Sequence, residues 1–245
     1  METQIDEIAD GIYRLSTYVP EIAPPAGFTF NQFVIDADEP LLFHCGPHGM
    51  FPIISEAFKR IMPIERLRWI TFGHVESDES GALNDWLAAA PMSTVAFNTL
   101  GCELSVADMA IRPPRAMADG EVLDLGGRRV RFICTPHVPH NWEAQVVLEE
   151  VTSTLLCGDV LAHLDGRAAT TSADIVDAAL VAEGMFSSMS MGPLTVPTIR
   201  RLADLQPRVL GLMHGSSVVG GDPAGQLRRL ADALESQLVV TVTTS

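Results

Sequence analysis

Between Thr71 and Leu87 the chain reads TFGHVESDESGALNDWL. One histidine and three carboxylates, His74, Glu76, Asp78 and Glu79, fall within six residues, in a chain that has only seven histidines. Imidazole nitrogens and ionised carboxylates are the donors that hold a divalent or trivalent cation. A solvated acidic turn would look the same, so the cluster needs a remote partner set. Three later stretches supply one: TPHVPHNW carries His137 and His140, LLCGDV carries Asp159, and GLMHG carries His214. Taken singly, each has a commoner reading: a histidine bonded in the core, or an aspartate accepting backbone amides beside Gly158. Together they point to a metal site, because several buried carboxylates without a counter-charge would be costly.

Such a site requires elements that end where its ligands begin. WITFG reads as a buried strand that delivers His74, RVRFIC as one before the His137/His140 loop, and LLCGDV and PRVLGLMHG as strands ending at Asp159 and His214. Pro136 and Pro139 stop helix continuation in the second loop. Strand patterns also occupy IYRLSTYV, FTFNQFVID, PLLFHCGP and AQVVLEE; AFNTLGCEL is expected to be another, EVLDLGGRRVRFICT a hairpin about Gly126-Gly127, and VVTVT a closing strand. Helical spacing is clear in SADIVDAALVAEGMFSSM, TVPTIRRLADL and GDPAGQLRRLADALESQL, where Pro223 suits a first-turn position. Many short strands with interspersed helices predict an α/β protein of two packed sheets flanked by helices, an αββα layering. No repeat or polar linker divides the chain, so residues 1–245 are expected to form one domain.

Composition narrows the function. With 245 residues, 47% hydrophobic and 19% charged, the chain can bury a sizeable core. A formal charge of -15 offers no basic stripe for nucleic acid or an anionic membrane. The acidic start METQIDEIADGIYRL lacks a secretory pattern, and no run approaches a membrane span. Cys45, Cys102, Cys134 and Cys157 are scattered singly, which predicts reduced thiols and a cytoplasmic protein.

HVESDE followed at long intervals by HNW, GD and HG resembles the metallo-beta-lactamase fold superfamily, and within it the di-iron branch of flavo-diiron and oxygen-binding di-iron proteins. The resemblance runs from FTFNQFVID and the CG turn to the final HG strand. Zinc hydrolases of this fold carry His-x-His-x-Asp-His, and Glu76 stands at the second histidine, as in the di-iron branch. The resemblance implies the αββα sandwich of two mixed sheets and two iron ions per chain joined by an oxo or hydroxo bridge. It implies His74, Glu76 and His140 on one iron, Asp78 and His214 on the other, and Asp159 across both. Spacing does not choose between His137 and His140; the resemblance favours His140 and leaves His137 a pocket residue or a support behind the ligands. Glu79 departs from the family, standing where both branches commonly have histidine, either as a further ligand or packed behind them.

Three histidines with three or four carboxylates form a hard donor set that suits iron better than a structural zinc. The sequence shows no flavodoxin-like portion, phosphate-cradling glycine loop or paired cysteines, so no built-in flavin is expected and electrons would come from an external flavoprotein or reductase. The function implied is a non-haem di-iron protein that binds dioxygen or another small ligand, as a sensor or carrier or as the catalytic part of an O2/NO reductase, with a homodimer compatible. The alternative is a dinuclear hydrolase of an ester or lactone, against which Glu76 argues, and a vestigial site used only for interaction is a third reading. His44, His48 and His163 are expected in exposed or structural roles, Trp142 in packing near the site and Cys157 in the core.

Overall fold

The computed structural model describes residues 1–164 and 167–243. The first of two seven-stranded sheets runs in chain order: β1 (Thr3–Ala9), β2 (Ile12–Val19), β3 (Phe28–Ile35), β4 (Leu41–Phe43), β5 (Trp69–Thr71), β6 (Thr94–Asn98) and β7 (Arg115–Met117). Strands β1 to β4 form an antiparallel meander, and β4 to β7 are parallel. Parallel neighbours need crossovers. Here those are α1 (Phe51–Lys59), then α2 (Ser77–Ser80) with α3 (Leu83–Ala89), then α4 (Thr99–Gly101) and α5 (Ala107–Met109) joined by a π-helical stretch over Cys102–Val106.

The second sheet comprises β8 (Val122–Asp124), β9 (Arg129–Cys134), β10 (Gln145–Glu149), β11 (Thr154–Leu156), β12 (Thr170–Thr171), β13 (Val209–Gly211) and β14 (Ser217–Val219), in the spatial order β12-β14-β13-β11-β10-β9-β8. Helices α6 (Val176–Phe186) and α7 (Thr195–Asp204) cross from β11 to its parallel neighbour β13, and α8 (Pro223–Thr243) follows β14.

Alternation along the strands builds three apolar layers. Leu41 and Phe43 of β4 and Val147 of β10 turn between the sheets, where they meet Phe33, Trp69, Phe132 and Val209. Their neighbour Leu42 turns outward to Ile54, Phe58 and Trp86 of α1 and α3. Val146 and Leu148 turn the other way, toward Ile199, Leu202, Leu227 and Leu230 of α7 and α8. A strand buried on both faces reads as a continuous apolar run, as β4 does. This is the expected αββα sandwich of two mixed sheets.

Two elements differ from the sequence expectation. AFNTLGCEL is strand only as far as Asn98, whose side-chain Oδ1 accepts the Gly101 N–H and starts the helical segment that follows. VVTVT continues α8 instead of forming a strand. Its β-branched residues have only a weak preference, which a helix already nucleated over the preceding turns overrides. The acidic amino terminus contributes the edge strand β1, for which its charge gave no periodic signal.

The turn after β13 is tightly specified. Gly215 has φ +98°, and a Cβ there would lie 2.3 Å from the ring of His163. Gly127, in the β8–β9 turn, has φ +83° but open space around it. Gly215→Ala should therefore cost more than about 2 kcal/mol in urea unfolding, against about 1 kcal/mol for Gly127→Ala, where only the backbone penalty applies. Equal losses would show that the His163 contact is not restrictive.

Candidate metal centre

All four ligand-bearing loops leave the same end of the sandwich: residues 72–79 after β5, 135–142 after β9, 157–159 after β11 and 212–215 after β13. His74 Nε2 lies 2.8 Å from Glu76 Oε2, and His140 Nε2 lies 2.9 Å from that same oxygen. The two rings meet edge to face, 4.2 Å apart. Asp159 Oδ2 is 3.8 Å from His74 Nε2. One donor atom from each of His74, Glu76, His140 and Asp159 fits within 4.8 Å of the others. On the far side of Asp159, His214 Nε2 lies 3.3 Å from Asp159 Oδ1 and 3.2 Å from Asp78 Oδ2. The six residues thus form two groups that share Asp159.

Two of the three imidazoles are held from behind. His214 Nδ1 donates to the Thr29 carbonyl at 2.7 Å, and Phe28 stacks on the ring with centroids 4.0 Å apart. Bonding at Nδ1 fixes the tautomer and turns Nε2 to the cluster. His74 turns its Nδ1 toward Glu79, which is fully buried. Glu79 Oε2 accepts the backbone N–H groups of Gly73 at 2.6 Å and His74 at 2.8 Å. His74 Nδ1 and His44 Nε2 each lie 3.3 Å from Glu79 Oε1. Glu79 is therefore packed behind His74, on the opposite side of the ring from Glu76. Gly73 makes room for it: a Cβ there would come within 2.8 Å of the carboxylate.

His137 is exposed, with φ +63°, and is brought to none of these groups, whereas His140 from the same loop meets Glu76. His48 is exposed and bonds Asp85, His163 is buried beside the cluster, Cys157 lies in the core, and Trp142 projects into solvent instead of packing. His44 takes the structural role expected of it, and supports that the sequence did not single out are Glu143, Gln145 and Asn98. Glu143 Oε1 accepts the Val75 N–H at 3.0 Å. Gln145 Nε2 donates to Thr71 Oγ1 and the Phe72 carbonyl, and its Oε1 accepts the Asn98 N–H. The available signal was polar residues at the ends of apolar strands, too common to mark a role.

The donor set fits a cation. Oδ1 of Asp78 and Oδ1 of Asp159 are buried without a hydrogen-bond donor, a cost that a bound positive charge would remove. Without one, protons take its place. Burial works against charging His74, but Glu79, the Glu76 hydrogen bond and Asp159 outweigh it and raise its pKa to about 10. Burial likewise opposes charging His214, and Asp159 and Asp78 raise it to about 10. Hydrogen bonds from His140 and then His74 lower Glu76 to about 2. Metal ions must displace these protons to bind.

Replacing Glu79 by glutamine keeps its size but puts an amide where the charge faces His44 and His74. Glu79→Gln should weaken metal affinity by roughly 10- to 100-fold while the donors facing the cluster stay intact. Equilibrium dialysis against a divalent cation checks this, and an unchanged affinity would show that the Glu79 contact does not set the orientation of His74.

Comparison with known proteins bears on the fold and the family. The diflavin flavoprotein A 1 of Synechocystis is 23% identical over 171 residues, 65% of this chain and 29% of that protein. The chain spans only 20% to 29% of the length of the curated relatives it matches. Among solved structures, rubredoxin oxygen:oxidoreductase from Desulfovibrio gigas superposes with a TM-score of 0.79 at 16% identity, covering 96% of this chain and 61% of that one. The flavodiiron protein of Giardia intestinalis superposes with a TM-score of 0.80 at 14% identity, covering 96% and 60%. These likenesses show the shared fold. The family model described as ODP family beta lactamase matches residues 28–211, well over half of the sequence and a span that holds five of the six clustered residues together with Glu79. The chain belongs to that family.

Proposed function

We propose that this chain, as a single domain over residues 1–245, is a non-haem di-iron protein that binds dioxygen, as a sensor or carrier or as the catalytic part of a reductase. The observation that carries the reading is Asp159, which presents one oxygen to the His74/Glu76/His140 group and the other to the Asp78/His214 group. In this reading His74, Glu76 and His140 hold one iron, Asp78 and His214 the other, and Asp159 spans both. Glu79 and His137 are not ligands. Two ferrous ions held there would supply two electrons to dioxygen.

The protein's own residues set the conditions for that chemistry. Glu76, Asp78 and Asp159 offset most of the charge of two divalent ions, which favours the oxidised as well as the reduced pair. The Thr29 carbonyl keeps Nδ1 protonated on His214, and Glu79 faces Nδ1 of His74, so both rings would present Nε2 to a bound metal. Phe28 and Phe30 pack against His214 and shield that side from water. Sustained turnover would draw electrons from an external flavoprotein or reductase, in keeping with the flavin-containing proteins that share the fold. Four free cysteines suit a reducing compartment such as the cytoplasm. Among the described residues no helix is long and apolar enough to cross a membrane.

Elemental analysis of protein produced in iron-rich medium should find two irons per chain, and Asp159→Ala should lose both. Retention of both metals by that variant would overturn the shared role of Asp159. Anaerobically reduced protein should show a rapid optical change on mixing with dioxygen without an added donor, and sustained oxygen consumption only when a reductase is supplied. Two ferrous ions with no oxygen-dependent change, together with metal-dependent ester or lactone turnover, would overturn this reading in favour of hydrolysis.

A further inference from the structure

The cluster opens into a cavity of about 440 Å³. That is far larger than a diatomic gas requires and falls within the roughly 300–1,000 Å³ range of pockets that enclose small organic molecules. Its two ends have different chemistry. One is formed by Glu76, Asp78, His140, Asp159 and His214, with Phe28 stacked on the His214 ring; the other is apolar, with Leu161, Leu180, Met189, Leu230 and Leu234. On α6, the wall is made by Ala179 and Ala182, both buried, so the space exists because these side chains are small.

Two further ionisable residues reach the lining, and both are engaged elsewhere. Glu183 accepts the N–H groups of Ser188 and Met189 and the Ser188 hydroxyl. His163 lies with Nδ1 3.2 Å from the Leu161 carbonyl, and its Nε2 accepts the Ser216 N–H at 3.1 Å. Among the described residues, no lysine or arginine lines the cavity. The apolar end therefore offers, among the described residues, no cationic side chain to pair with an anionic ligand group. At the other end, three carboxylates against two divalent ions leave one positive charge, which suits a single hard oxygen anion.

We infer that the cavity binds a monocarboxylate with an apolar body of medium length, its carboxylate at the metal-facing end and its chain between α6 and α8. This rests on the di-metal reading, since the head group is recognised through the charge that two cations leave. A second negative charge or a phosphate on the body would have to be desolvated against leucine and phenylalanine without a cationic partner.

The test uses full-length protein whose content of two divalent metals per chain has first been established by elemental analysis. Isothermal titration with acetate, butyrate and octanoate should show affinity rising along the series, with octanoate at least about thirtyfold tighter than acetate as methylene groups leave water. Octanol should bind at least about tenfold more weakly than octanoate. Ala182→Leu should abolish the advantage of octanoate over acetate while both metals are retained; Ala179→Leu serves if the first variant does not fold by circular dichroism. A flat chain-length series in protein holding two metals, or octanol equal to octanoate, would overturn the inference and leave the di-metal reading intact. Protein that never retains two metals would overturn the di-metal reading, and this inference with it.

Discussion

Glu79 is a carboxylate with no access to water, and much of the surrounding structure answers to that constraint. Burial raises the cost of its charge, while His44 and His74 lower it, and the balance holds its pKa below the usual carboxylate range. Two backbone N–H groups and two imidazoles surround one side chain. His44 adopts φ +70° to reach it, and its Nδ1 lies 3.1 Å from the Asn31 carbonyl. Asn31 in turn donates through Nδ2 to the carbonyls of Leu212 and Gly215, on either side of His214. A continuous polar chain thus runs from the back of His74 to the loop of His214, through the interior and away from the cavity.

That chain explains how an acidic residue can stand, buried and charged, at position 79. A histidine at position 79 could not accept two backbone N–H groups, so its surroundings would have to differ at Gly73 and His44 as well. The carboxylate adds a negative charge behind the ring of His74 instead of a donor in front of it. Its effect on a bound metal passes through the imidazole.

The positions of the clustered residues were legible because chemistry and strand ends coincided. HVESDE, HNW, GD and HG each follow an apolar run, and a buried strand fixes where the next polar side chain emerges. The αββα layering could be read from many short strands with helices between them. Less legible were features decided by tertiary contacts. AFNTLGCEL turns helical because one asparagine caps it, and VVTVT stays helical because a long helix precedes it. The orientation of Glu79 depends on His44, thirty-five residues earlier, and on a gap left by a glycine, neither of which has a local signature. Glu143, Gln145 and Asn98 act through hydrogen bonds between strands that are distant in the chain, so their types alone could not assign them.

His74, Glu76 and Asp78 come from the first sheet, and His140, Asp159 and His214 from the second. The shared oxygen of Glu76 between His74 and His140 therefore joins the two halves of the sandwich like a rivet. Neither half contains a complete donor set, so the centre cannot preorganise until the most distant pairings in the chain have formed. Occupancy by a cation would then act as a gauge of interlayer alignment: a substitution deep between the sheets that shears one against the other would be felt at the centre without altering any residue that faces it.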